Sequence, residues 1–134
     1  MTQLLAGFMR APAADMMIPV PLFFAREQWR GFNQARELAR AIPKPAPPLH
    51  NELLSRVVNT LPQSRMPDIA ARRRNIRGAF LASPAVRGKT LLLVDDVMSS
   101  GVTMNEAARA LKQAGAAAVF NLVVARAAPG VRVL

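Results

Sequence analysis

Leu91-Leu92-Leu93-Val94-Asp95-Asp96-Val97-Met98-Ser99-Ser100-Gly101-Val102-Thr103 is the stretch on which the architecture of this chain turns. Its first four residues are an unbroken apolar run, too short for a helix, preceded by Gly88 and ended by two aspartates. Such a run reads as a strand buried on both faces, as in a parallel sheet covered by helices. The chain is then expected to turn through Val97 to Val102, where Gly101 leaves the backbone open to close approach. From there Met104, Ala107, Ala108, Leu111 and Ala114 recur at helical spacing, with Asn105, Arg109, Lys112 and Gln113 on the opposite side. Thr103 and Glu106 match a T-x-x-E capping box, and Gly115 supplies the stop.

A second apolar run, Val119 to Val124, follows at once. Strand, helix and strand in this order close as a right-handed parallel crossover. The predicted fold class is therefore α/β, an open, mostly parallel sheet with helices on both faces. Upstream, Met17 to Leu22 reads as a first strand despite its prolines, and Phe32, Leu38, Ala39 and Ile42 give the next helix an apolar stripe. Pro43 to Pro48 forces an extended link. Glu52 to Val58 reads as a further strand, and Asp68 to Asn75 as a short polar helix with Pro67 near its first turn.

Ligands of open α/β sheets bind at the carboxyl edge of the strands, where this segment passes from strand to helix. A phosphate there would meet unpaired backbone N–H groups at the positive end of the helix dipole, and Ser99, Ser100 and Thr103 can each donate a hydroxyl proton. Two carboxylates beside a phosphate repel it unless something separates them. Sugar hydroxyls would do so, a ribose diol donating hydrogen bonds to Asp95 and Asp96, and a bound Mg²⁺ would reduce the remaining repulsion. Gly88-Lys89-Thr90 imitates the end of a Walker A loop, but Ser83 stands where the first glycine belongs and a strand follows instead of a helix. No G-x-G-x-x-G is present, so nucleoside triphosphatase and dinucleotide-binding folds find no support.

At 134 residues the chain has the length of one domain, and residues 1–134 are read as such. Cysteine is absent, so no Cys-based zinc site is expected in this chain, and a reducing cytoplasm, as in a bacterium, suits the composition. No apolar run approaches the roughly 18 residues of a membrane span, so no membrane insertion is expected. Met1 to Asp15 lacks the pattern of a signal peptide and is read with the folded chain. The net charge of +10 is concentrated. Residues 56–89 carry eight basic side chains (Arg56, Arg65, Arg72, Arg73, Arg74, Arg77, Arg87, Lys89) against Asp68 alone. A clustered basic span favours polyphosphate or nucleic acid over a merely solvated face. His50 stands alone beside the proline link, where packing or surface exposure accounts for it.

The strand, paired acids, hydroxyl-rich turn and glycine together resemble the signature by which type I phosphoribosyltransferases bind 5-phosphoribosyl 1-pyrophosphate (PRPP). Pro19-Val20-Pro21-Leu22, then Arg26 and Arg30-Gly31-Phe32-Asn33-Gln34, resemble the P-V-P-L and R-G-F-N-Q segments of ComF-type proteins. Arg56, Thr60, Gln63 and Arg73-Arg74-Asn75-Ile76-Arg77-Gly78-Ala79-Phe80 resemble their next block, so the likeness runs from residue 16 to residue 126. It implies that Asp95 and Asp96 hold the ribose hydroxyls of PRPP or a ribose 5-phosphate. It further implies that Val97, Met98, Ser99, Ser100, Gly101, Val102 and Thr103 hold the 5-phosphate. Arg26, Arg30, Gly31, Thr60, Gln63, Arg73, Arg74 and Arg77 then face pyrophosphate, residues 60–77 forming a mobile basic lid.

ComF-type proteins usually begin with a four-cysteine zinc module and a linking helix, which this sequence does not contain, so it resembles their carboxy-terminal portion. Ser99 stands where purine-salvage transferases carry an acid that handles a base proton, so no general base for a purine acceptor is visible. Three functions remain open. One is a PRPP-binding factor in DNA uptake that touches single-stranded DNA through its basic span. Another is a working transferase that releases pyrophosphate to an unidentified acceptor. The third is a PRPP sensor without catalysis. Related transferases pair, which makes a homodimer an expectation as well.

Overall fold

A computed structural model of the chain describes residues 13–22, 31–60, 65–98 and 101–126. Its main sheet has three parallel strands, β1 (Met16–Pro19), β4 (Thr90–Met98) and β5 (Ala118–Arg126), with β4 in the centre. Met16 pairs with Leu91 and Pro19 with Val94 on one side of β4, and Leu91 pairs with Val119 and Val94 with Leu122 on the other. A separate antiparallel pair joins β2 (Leu54–Arg56) to β3 (Phe80–Ala82).

β4 separates two apolar layers by simple alternation. Leu91 and Leu93 pack with Ile18, Met104, Ala107 and Leu111 beneath helix α3 (Val102–Gln113). Ile76 of helix α2 (Ile69–Ile76), Leu54 and Phe80 extend that same core. Leu92 and Val94 face the other way, onto Met17 and onto Ala39 of helix α1 (Gln34–Ala41). Helices therefore cover both faces of a parallel sheet, as the sequence predicts.

The element boundaries differ from expectation for identifiable reasons. β1 stops at Pro19 instead of running to Leu22. Its even-numbered backbone faces β4, where the Val20 N–H donates to Val94 O (2.8 Å). The Met17 N–H points the opposite way, to Pro48 O, so the donor missing at Pro19 falls on the outer edge and leaves the ladder intact. β4 continues past its apolar run to Met98, because pairing with β5 persists through Asp95–Val123, Val97–Ala125 and Met98–Arg126. Val97 and Met98, expected in the turn, thus belong to the strand. β2 is shorter than the Glu52 to Val58 segment, and α1 begins after Phe32, which is exposed. Asp68 is the cap of α2 rather than part of it, accepting from the Ala71 N–H at 2.7 Å.

The capping box is not formed. α3 starts at Val102, capped by Gly101 in a left-handed conformation (φ 78°) with no side-chain cap bond. Glu106 instead accepts from the Gly78 N–H (3.0 Å), a backbone donor in the reversal between α2 and β3. The other end of α3 closes as the sequence predicts, in a Schellman arrangement: the Gly115 N–H reaches Lys112 O and the Ala116 N–H reaches Leu111 O. Gly115 adopts φ 106°, and a methyl group there would stand 2.9 Å from Arg87 Cγ. Gly115→Ala is expected to destabilise the fold by about 1–3 kcal/mol through backbone strain alone. The readout is a lower urea midpoint at unchanged m-value.

Candidate functional site

The carboxyl end of β4 carries Asp95 and Asp96 just beyond Val94, its last partner on β1, where pairing with β5 continues and sets their backbone directions. Strand alternation sends Asp95 to the α3 side and Asp96 to the α1 side. Asp96 accordingly also borders a shallow recess with Phe32, Gln34, Glu37 and Leu38 of the α1 entrance. Both acids line one pocket of about 170 Å³, closed by Val20, Pro21 and Leu22 after β1, Asn33 to Ala35 at the start of α1, Arg56 and Thr103.

Each wall has a local cause. Asn33 is buried, and its amide Nδ2 donates to Val20 O (3.2 Å) while its Oδ1 accepts from the Arg36 N–H as the cap of α1. One side chain thus ties the loop after β1 to the helix entrance. Arg56, at the end of β2, donates to the hydroxyl of buried Thr60 and lies 5.6 Å from the centroid of the Phe80 ring. Thr103 is in the first turn of α3, beside the backbone N–H groups that a helix start leaves unpaired.

The electrostatics are tense. Burial, above all, pushes the Asp95 carboxyl up to about 7, and its hydrogen bond with Asp96 and that neighbour's charge act in the same direction. The Asp96 N–H, donating to Asp95 Oδ1 (2.8 Å), and the Arg56 guanidinium oppose the rise. A pocket with two acids and one partly buried cation suits a ligand that brings hydroxyl donors for the first and an anionic group for the second.

Of the residues singled out in the sequence, Asp95, Asp96 and Thr103 meet in this pocket, and Thr60 supports it through Arg56. Gly101 and Val102 open α3, and the Val97 and Met98 backbones belong to β4. Arg73 and Arg77 do not reach the pocket lining; they border a different cleft between α2 and α3, and Arg74 is an exposed residue of α2. Gly31 precedes the Asn33 cap with φ 80°. Arg26, Arg30, Gln63, Ser99 and Ser100 lie outside the described residues. Sequence reading did not single out Asn33 and Arg56 as site residues, although both stand in the segments that carried the resemblance. Among the described residues no group of three or more His, Cys, Asp or Glu is placed to hold a metal ion. No helix among the described residues is long and apolar enough to cross a membrane.

The model of the phosphoribosyl transferase domain matches residues 4–131. The chain belongs to this family. Curated relatives place the phosphoribosyl transferase domain on the ComF-type branch inferred from its motifs. It is 36% identical over 109 residues to the DNA utilization protein YhgH of Escherichia coli O157:H7, covering 78% of this chain and 46% of that protein. It is 32% identical over 118 residues to competence protein F of Haemophilus influenzae (84% and 51%). To competence protein ComFC of Bacillus subtilis it is 31% identical over 105 residues (77% and 40%). The domain therefore spans about half the length of the curated relatives it matches. A solved structure described as the allosteric regulatory enzyme of purine biosynthesis superposes with a TM-score of 0.50 at 23% identity, over 91% of this chain and 24% of that one, which establishes the shared fold.

Proposed function

We propose that this phosphoribosyl transferase domain binds PRPP or a related ribose 5-phosphate at the carboxyl edge of β4 and acts as a ComF-type factor in the handling of incoming DNA. The observation that carries the reading is the convergence of Asp95, Asp96, Thr103 and Arg56 on one pocket beside the start of α3. The acids accept from the ribose diol, the α3 entrance takes the 5-phosphate, and Arg56 faces an anionic substituent of the sugar. Mg²⁺, arriving with the pyrophosphate, supplies charge neutralisation between the ligand and the acid pair.

The DNA half of the proposal draws on the names of the relatives and on the concentration of exposed basic residues in the 56–89 span. Contacts of this kind release counterions, so the single-strand affinity is expected to fall with salt at a log–log slope near −0.7 per phosphate contacted.

Calorimetric titration with PRPP, with and without Mg²⁺, tests the pocket. Saturable binding that strengthens with Mg²⁺ is expected. A folded sample with no affinity for PRPP or ribose 5-phosphate refutes the assignment. Pyrophosphate release on adding candidate bases would extend the function to group transfer.

A further inference from the structure

Between α2 and α3 lies a cleft of about 370 Å³, lined by Arg73, Ile76, Arg77, Val102, Asn105, Glu106 and Arg109. The lining follows from helical periodicity. Arg73 and Ile76 share one face of α2, which Arg77 follows as the C-cap, and Val102, Asn105, Glu106 and Arg109 share one face of α3. Ile76 and Val102 are buried and form an apolar floor, whereas Arg73 and Arg77 are exposed at the rim.

The charged groups here have distinct roles. Arg109 is committed: its Nε donates to Glu106 Oε2 (3.0 Å), it pairs with Oε1 through a second nitrogen, and its remaining nitrogen donates to Gln113. Glu106 is held below the usual carboxylate range mainly by that hydrogen bonding from Arg109, so it stays ionised and acts as an acceptor. With the Gly78 N–H and Arg109 both on Oε1 and one donor on Oε2, a lone pair of Oε2 remains available. Neither Arg73 nor Arg77 has a side-chain hydrogen bond or ion pair among the described residues. The hollow thus combines two guanidiniums at the rim, a carboxylate and an amide on one wall, and an apolar floor.

That combination selects a ligand class. A bare phosphate uses only the guanidiniums, and a continuous phosphodiester backbone leaves the apolar floor and the Glu106 acceptor unused. A ligand with a phosphate, a flat apolar body and an amino or hydroxyl donor uses all three features, and its size suits a hollow of this volume. We propose that the α2–α3 cleft is a second binding site, separate from the acid pocket, and that it takes a nucleoside monophosphate. The phosphate sits between Arg73 and Arg77, the base lies over Ile76 and Val102, and Glu106 with Asn105 receives a donor from the base or sugar. Val102 borders this cleft and Thr103 the acid pocket, so both sites rest on the first turn of α3.

The test is calorimetry with AMP, GMP, CMP and UMP on the Asp95→Asn, Asp96→Asn protein, in which the acid pocket's hold on ribose phosphate is weakened. One equivalent of at least one monophosphate is expected to bind. Adding Arg73→Gln and Arg77→Gln should weaken it by at least about tenfold, since two charge-assisted bonds are lost. Both arginines are exposed, and an unchanged melting temperature verifies that the added changes leave the fold intact. The proposal is overturned if no monophosphate binds the folded protein, or if the arginine changes leave the affinity unaltered. It is equally overturned if a dT12 oligonucleotide loses affinity on the arginine changes while no monophosphate binds, which would make the cleft a backbone track. None of these outcomes depends on whether PRPP binds the acid pocket of the unaltered chain.

Discussion

Asp95→Asn is expected to make the unliganded domain more stable at pH 8 and to weaken PRPP binding by about two orders of magnitude. The stability half follows from the raised carboxyl pKa, about 7 in the fold against an ordinary 3.8. Below pH 4 both folded and unfolded chains hold the proton, and the group contributes nothing to the pH dependence. Between pH 4 and 7 the unfolded chain releases it while the folded chain retains it, so stability falls as pH rises, at up to about 1.4 kcal/mol per unit. Above pH 7 the loss is complete, at most roughly 4 kcal/mol. Asparagine cannot ionise, and its Oδ1 preserves the bond from the Asp96 N–H. Arg56, however, loses a favourable neighbour, which offsets part of the gain. A net stabilisation of about 1–3 kcal/mol at pH 8, vanishing near pH 4, is expected in urea titrations. The binding half rests on the proposed diol contact: hydrogen bonds to a charged acceptor contribute about 1.5–3 kcal/mol each, so losing the charge costs on the order of a hundredfold. In the unaltered protein the same titration is expected to make any PRPP affinity measured by calorimetry rise from pH 6 to pH 8, because only the ionised carboxylate would accept both hydroxyls. A variant that is less stable at pH 8 than the parent would show that Asp95 is a structural ion-pair member instead of a strained site group.

The features legible in the sequence were those set by local chemistry. Four successive apolar residues could only be a strand covered on both faces, and β4 is the central strand with a helix on each side. The Gly115 stop was equally local, since the left-handed turn it makes belongs to glycine. What escaped depended on partners far away along the chain. β3 is three residues long with Leu81 exposed, so no alternation marked it, and it exists because β2 supplies its hydrogen bonds. The Thr103–Glu106 pattern is a valid capping signal, but Gly101 starts the helix early and Gly78, 28 residues upstream of Glu106, takes up its carboxylate. The acid pair was read as a site from its position alone, while Arg56 and Asn33 needed the folded chain to bring β2 and the α1 entrance against them. The basic span illustrates the same limit. Its charge was visible as a block, yet the fold sends Arg56 to the acid pocket and Arg73 and Arg77 to the cleft between α2 and α3.

Leu93→Ala is expected to cost about 3–5 kcal/mol, and Leu92→Ala about 2–3 kcal/mol, although the two residues are adjacent in the same central strand. The difference lies in how well each side of the sheet can close over the missing atoms. Leu93 is fully buried and packs in the layer containing Ile18, Ile76, Met104 and Leu111, large side chains that are themselves buried and anchored on three different elements, β1, α2 and α3. Such a layer relaxes little, so the lost transfer energy and the residual cavity add. Leu92 faces the thinner α1 layer, where Ala39 is small and Leu38, Ile42, Leu49 and Leu122 are only partly buried, leaving neighbours and solvent free to move in. Total stabilities of domains this size are about 5–15 kcal/mol, so the Leu93 change removes a large share while leaving a population to measure. It also lies on the same strand face as Asp95, two residues away, and slackening there should loosen the acid before the fold is lost. Urea titration of both variants, together with PRPP titration at a urea-free temperature well below melting, separates the effects. Equal costs, or a larger cost at Leu92, would mean that the main core lies on the α1 side of the sheet.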